Sequence, residues 1–188
     1  MGEQKLTFLS LDAFLEWEAR QTTRHEFVDG VARMMTGGTL RHSRMAGLAF
    51  AAFDRRLRGG PCRPTTSDFM VVLPNGDGRY PDVTVVCPPF DPADRATRSP
   101  VAIVEILSPS TAAYDQNREL AAYREIAALQ HVLILHRDEP RADLWTRGAA
   151  LGANGWTVST YIGLASPVPL PGLAIELPMA ELHDEADG

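Results

Sequence analysis

The chain has 188 residues, 45% of them hydrophobic and 22% charged, which is enough to bury a substantial core within one domain (1–188, core about 6–183). A net charge of −6 and a pI near 5.3 argue against nucleic-acid binding by bulk electrostatics, although a local arginine cluster can still hold phosphate. With no apolar run of about 18 residues and no charged-then-apolar leader, the expectation is a cytoplasmic protein without a membrane partner. Cys62 and Cys87 lack ligand-like spacing, so neither a zinc site nor a disulfide framework is expected.

Ser10 is placed to cap a helix over 11–18, whose Leu11, Phe14, Leu15 and Trp17 lie mostly on one face. Two short strand-like runs over 24–35 flank Asp29-Gly30, a dipeptide suited to a two-residue hairpin turn. From about His42 to Arg58, Met45, Leu48, Ala49, Ala52 and Phe53 recur at helical spacing, which predicts an amphipathic helix against the core. Strands are predicted over 67–73 and 80–87, joined by the turn-rich Pro74-Asn-Gly-Asp-Gly78. After a polar stretch, 88–100, come an apolar strand over 101–107, a helix from about 114 to 129, and a hairpin over 131–136 and 142–146. The proline-rich end can hold only short strands. Hairpins combined with a strand, helix, strand passage predict an α/β fold, a mixed sheet flanked by helices with an N-terminal helix.

Two acids stand inside apolar strands: Asp82 in Arg79-Tyr-Pro-Asp-Val-Thr-Val-Val-Cys87, and Glu105 in Val101-Ala-Ile-Val-Glu-Ile-Leu107. A carboxylate half-buried among Val and Ile costs several kcal/mol unless a cation or donor meets it. Two of them on neighbouring strands suggest a divalent metal held by oxygen ligands. The alternatives are a strand-start Asp82 paired with an arginine such as Arg79, and a structural Glu105. Asp68 falls on the strand expected to pair with the Asp82 strand, so it is either a third acid of the site or an edge-strand surface residue.

Pro81-Asp82 and Val104-Glu-Ile-Leu-Ser-Pro-Ser-Thr111, whose Glu105 lies 23 positions beyond Asp82, entering a helix with Tyr123-Arg124, resemble the Uma-two family of restriction-endonuclease-like proteins. That family belongs to the PD-(D/E)XK nuclease superfamily. The resemblance implies a restriction-endonuclease-like fold and a metal-dependent endonuclease cutting DNA; the oligomeric state stays open, with Met34-Met35 and the proline-rich end available as the apolar interface of a homodimer or as core and terminus packing. It implies Mg²⁺ or Mn²⁺ on Asp82 and Glu105, with the Ile106 carbonyl as a further oxygen ligand. Glu26 and His42 also fall where the family pattern carries an acid and a histidine; His42 can orient a water or a phosphate, or simply serve the helix start.

The chain departs from that pattern at the superfamily's lysine. Its usual place is Leu107, and the family's alternative, four residues before Tyr123, is Glu119. Lys5 is the only lysine among 18 basic residues, so none stands in the body of the domain. Arg118 is adjacent but turned about 100° around an ideal helix. Three outcomes follow: Arg118 bends in as a phosphate clamp, the metal works alone or with Glu119 as an added ligand, or the fold persists as a binding or assembly module without turnover. Arginine stays protonated, so it can stabilise charge but cannot serve as a base.

Overall fold

The computed structural model describes residues 7–8, 10–107, 113–148 and 155–183. Helix α1 (Leu11–Glu18) begins where Ser10 accepts a hydrogen bond from the Ala13 N–H at 3.2 Å. Strands β1 (His25–Val28) and β2 (Val31–Met34) form the expected hairpin, with Asp29 and Gly30 at φ 52° and 78°. Helix α2 (Leu40–Leu57) starts at Leu40 rather than His42, because Thr39 accepts the capping hydrogen bond, from the His42 N–H at 3.3 Å.

The region before Cys87 departs from the sequence expectation. In place of one strand over 67–73 the chain makes β3 (Arg63–Thr66), a turn holding Ser67 and Asp68, and the short β4 (Met70–Val72). Pro64 is tolerated because β3 is an edge strand. The predicted strand over 80–87 shortens to β6 (Val83–Val86), preceded by a separate β5 (Gly78–Arg79), with Pro81, which has no N–H to donate, between them. There follow β7 (Ala96–Thr97), β8 (Pro100–Leu107), α3 (Ala113–Arg124), β9 (His131–His136) and β10 (Arg141–Arg147). Helix α3 stops at Arg124, short of the predicted 129, although Ile126 and Leu129 still pack inward. Strand β11 (Trp156–Ile162) escapes the sequence reading because four of its residues in succession are exposed and it shows no alternation. The chain ends in the hairpin of β12 (Pro167–Leu170) and β13 (Ile175–Pro178).

Six strands form one sheet in the order β11-β10-β9-β8-β6-β3, antiparallel except where α3 connects the parallel pair β8 and β9. A second sheet runs β2-β1-β5-β4-β7. Strand β8 is covered on both sides, so its period of two sorts its residues between two cores. Ala102, Val104 and Ile106 pack with Met45, Ala49 and Phe53 of α2, while Ile103 packs with Leu120 and Tyr123 of α3. Strand β9 divides likewise, Leu133 and Leu135 on the α2 side and Val132 and Ile134 on the α3 side. The same alternation puts Glu105 on the α3 side with Ile103. No helix among the described residues is long and apolar enough to cross a membrane.

Cys62 and Cys87 form a disulfide, against the expectation from their spacing. They flank β3 and β6, where Arg63 stands opposite Val86, so register carries the next pair outward into contact. A sequence separation of 25 gives no hint of this; the pairing of the strands does.

Candidate functional site

The site forms where β6 begins and β8 ends. The last rung between these strands sets Val83 opposite Val104. Two residues along β8, the Ile106 N–H donates to a side chain, Asp82 Oδ2, at 2.8 Å. Pro81 breaks the strand, and the Asp82 carboxylate takes over from the backbone ladder. His42 Nε2, from the first turn of α2, lies 3.3 Å from the same oxygen. The hydrogen bond to Asp82 raises the His42 pKa, working against burial and the nearby charge of Arg137.

Helix α3 closes the other side. Glu119 and Tyr123 are four apart and share a helix face. The Tyr123 hydroxyl lies 2.8 Å from Glu105 Oε1 and 3.2 Å from Glu119 Oε1, one proton serving two carboxylates. Burial holds the Glu105 pKa well above the usual carboxylate range, and the charges of Glu119 and Asp82 add to it. Glu105 keeps some solvent contact, but the surrounding protein is dense enough for desolvation to dominate. Glu119 is raised as well, by burial first and then by Glu26, while Arg79 and the Tyr123 hydrogen bond oppose the shift. Tyr123 is buried between the acids, and burial together with their charge pushes its pKa well above the ordinary value. Glu105, Ile106, Leu107, Glu119, Leu120, Tyr123 and Ile134 line a cleft of about 50 Å³.

Glu26 reaches this group from β1. Its Oε2 accepts from Arg79 Nη1 at 2.9 Å, and its charge contributes to the raised pKa values of both Glu105 and Glu119. Arg79 is therefore the partner of Glu26 and not of Asp82. The sequence reading weighed Arg79 only as a structural neighbour of Asp82 and used Tyr123 only as a landmark. The i, i+4 spacing of Glu119 and Tyr123 was the available signal for the latter.

Two candidates lie elsewhere. Asp68 sits in the β3–β4 turn rather than on a strand beside Asp82, is 78% exposed, and accepts from Arg24 Nη2 at 3.2 Å. Its expected place as third acid beside Glu105 is taken by Glu119. Arg118 does not bend inward; 63% exposed, it donates to Asp29 Oδ2 at 3.3 Å across the hairpin turn. Its α-helical angle was the decisive quantity, since Glu119 holds the inward position. The Ser108–Thr111 end of the motif lies outside the described residues.

The residues suit a hard divalent cation. Asp82 Oδ1 and Glu105 Oε2 take no part in the hydrogen bonds of the described residues, whose contacts fall on the other oxygen of each. Buried carboxylates that raise one another's pKa are relieved by a positive charge among them. Among the described residues, no three His, Cys, Asp or Glu side chains already surround one point, so a cation would also draw on backbone carbonyl and water.

Residues 11–180 match the family model Uma2, described as "Putative restriction endonuclease". The chain belongs to the Uma2 family. The relatives include the uncharacterized protein slr1290 of Synechocystis sp., 35% identical over 158 residues, 81% of this chain and 80% of that one. A second uncharacterized protein of the same organism, sll1609, is 25% identical over 159 residues, 82% of this chain and 88% of that protein. In shape the chain matches a crystal structure from Anabaena variabilis described as a putative nuclease belonging to DUF820. The TM-score is 0.71 at 16% identity, over 93% of this chain and 97% of that one, a likeness of fold. Membership in Uma2 supports a nuclease-like function.

Proposed function

We propose that this Uma2 protein is a metal-dependent endonuclease that hydrolyses phosphodiester bonds of DNA, with Mg²⁺ or Mn²⁺ held by Asp82, Glu105 and the Ile106 carbonyl. The observation that carries the reading is the set of half-buried carboxylates where β6, β8 and α3 meet: Asp82 held by the Ile106 N–H and His42, and Glu105 and Glu119 sharing the Tyr123 hydroxyl. Bound there, the cation would polarise a phosphoryl oxygen and lower the pKa of an attacking water. The chain's own groups do the rest. The Ile106 N–H and His42 fix the Asp82 carboxylate, and the Tyr123 hydroxyl fixes Glu105 against Glu119. His42, 3.3 Å from Asp82 Oδ2, would orient a water or a phosphate oxygen.

The test is nicking of supercoiled plasmid in Mg²⁺ or Mn²⁺ by wild type, Asp82→Ala and Glu105→Ala. Cleavage by wild type alone supports the reading; a wild type that cuts no DNA or RNA under either metal refutes it. A second reading, a binding or assembly module on the same fold without turnover, is favoured by Leu107 and Glu119 standing at the two lysine positions. It requires that both alanine variants bind DNA or a protein partner as wild type does while none of the three cuts.

A further inference from the structure

Neither position that a lysine would occupy carries a cation, and Arg118 is committed to Asp29 at the surface. We propose that Arg79 is the cation of this site, holding the charge of the phosphate, and that Glu26 is the residue that positions it. The proposal rests on the nuclease reading above and assigns one part of it.

Strand pairing brings the residue in. Strand β5 lies between β1 and β4, with Phe27 opposite Gly78 and Val71 opposite Arg79. Glu26, next along β1, then meets the guanidinium, accepting from Nη1 at 2.9 Å and from the Tyr80 backbone N–H at 3.4 Å. The Arg79 side chain is only 16% exposed, and its charge acts on Glu119 at the edge of the carboxylate cleft.

The donor count points to a missing partner. A guanidinium presents five N–H groups, and only Nη1 makes a hydrogen bond within the described residues. Buried Nε has no partner there, and Nη2 comes no nearer than 4.0 Å to Asp77. With Nη1 pinned by Glu26 and Nε buried, Nη2 is the part of Arg79 left for a ligand oxygen, at a guanidinium that burial strips of most of its water.

Charge balance requires such a group. Glu26, Asp82, Glu105 and Glu119 bring four carboxylates to one site from β1, the start of β6, β8 and α3, so a phosphodiester approaching without a counter-charge is repelled. Other arginines nearby are neutralised at their tips: Arg41 and Arg137 on Asp138, Arg118 on Asp29. Arg79 shares its surroundings with Glu26 and Glu119 together. It cannot deprotonate a water, so its part is to hold negative charge as that charge grows in the transition state.

The experiment compares wild type with Arg79→Lys, Arg79→Met, Glu26→Gln and the neutral double variant Glu26→Gln/Arg79→Met, which spares the fold an unpaired buried Glu26. The readouts are plasmid nicking in Mn²⁺, the Mn²⁺-dependent rise in melting temperature, and duplex binding in Ca²⁺. Arg79→Met and the double variant are expected to lose about a hundredfold or more in kcat, with the Mn²⁺-dependent rise retained. Arg79→Lys should recover part of that loss, and Glu26→Gln should lower kcat at unchanged KM. Wild-type cleavage by the double variant overturns the role of Arg79 and leaves the nuclease reading standing, as does loss of the Mn²⁺-dependent rise in parallel with activity. A wild type that cuts no nucleic acid, whether or not it binds duplex DNA, takes down the nuclease reading and Arg79 with it.

Discussion

Breaking the Cys62–Cys87 bond is the most quantitative perturbation the structure offers. The bond closes a segment with a sequence separation of 25, and that segment contains both Arg79 and Asp82. Treated as a constraint on the unfolded chain, a loop of that length is worth about 12 cal/mol/K, or about 3.5 kcal/mol at 25 °C. For a protein of this size, that corresponds to a fall in melting temperature of roughly 7–14 °C. The folded site should persist, because β3 and β6 still share four residue pairs and β6 remains paired with β8. Thermal melts with and without a phosphine reductant, on wild type and on Cys62→Ala/Cys87→Ala, read the effect directly. Reduction should lower the wild-type midpoint to near that of the variant and leave the variant unmoved, while the Mn²⁺-dependent rise survives in both. A wild-type midpoint indifferent to reductant, with two free thiols titrating in denaturant beforehand, would refute the bond and the reasoning from register. Repeating the melt in a glutathione buffer poised like a cytoplasm tests whether the bond withstands a reducing compartment.

His131 is buried, its Nε2 accepting from the Gly172 N–H at 3.1 Å, and burial lowers its pKa to about 4. The fold holds it neutral while the unfolded chain takes a proton below about pH 6.5, so its contribution is intact above that pH and is lost as pH falls toward 4. Between pH 7.5 and 5 the loss is about 2 kcal/mol, and urea unfolding should show a correspondingly smaller pH dependence in His131→Gln; an equal dependence contradicts the assignment. Gly172→Ala should cost about 1–3 kcal/mol, since a Cβ there overlaps Gln130 Oε1, which can swing aside, and comes within 2.9 Å of His131 Nε2, which cannot without losing its hydrogen bond. Tyr123→Phe removes the shared donor of Glu105 and Glu119 and should cost about 1.5–3 kcal/mol, more in EDTA than in Mn²⁺, because a cation relieves the same two acids. A cost independent of metal would separate Tyr123 from the cation site.

Where periodicity and local chemistry act alone, the sequence was sufficient. Ser10 ahead of an apolar run gives α1, Asp29-Gly30 gives the hairpin, and the stretch 101–107, apolar except for Glu105, gives a strand. Where strand partners decide, it was not. β3 has a proline inside it and reads as loop until its edge position is known, and β11 carries no alternation because it too is an edge, solvated along most of its length. The disulfide belongs to the same class, since two cysteines meet only when the register of β3 on β6 is set.

The site divides along the same line. Asp82 and Glu105 announce themselves because a carboxylate among β-branched residues is anomalous in the sequence itself. Arg79 does not, because an arginine beside a turn is ordinary, and what sets it apart is a neighbour 53 residues away, Glu26, brought close by the pairing of β1 with β5. Arg118 misleads for the opposite reason: it is near the expected lysine in sequence, but an α-helix converts one position into about 100° of rotation. That rotation sends Arg118 to Asp29 and brings Glu119 to Tyr123. The α3 position that usually carries the positive charge thus adds a negative one. Helix α3 therefore deepens the need for a cation instead of supplying it, and on the proposed reading the compensating charges come from a metal on the β6–β8 side and from Arg79 on the β1–β5 side. The two are separable by experiment, since a metal can be removed by chelation and Arg79 only by mutation.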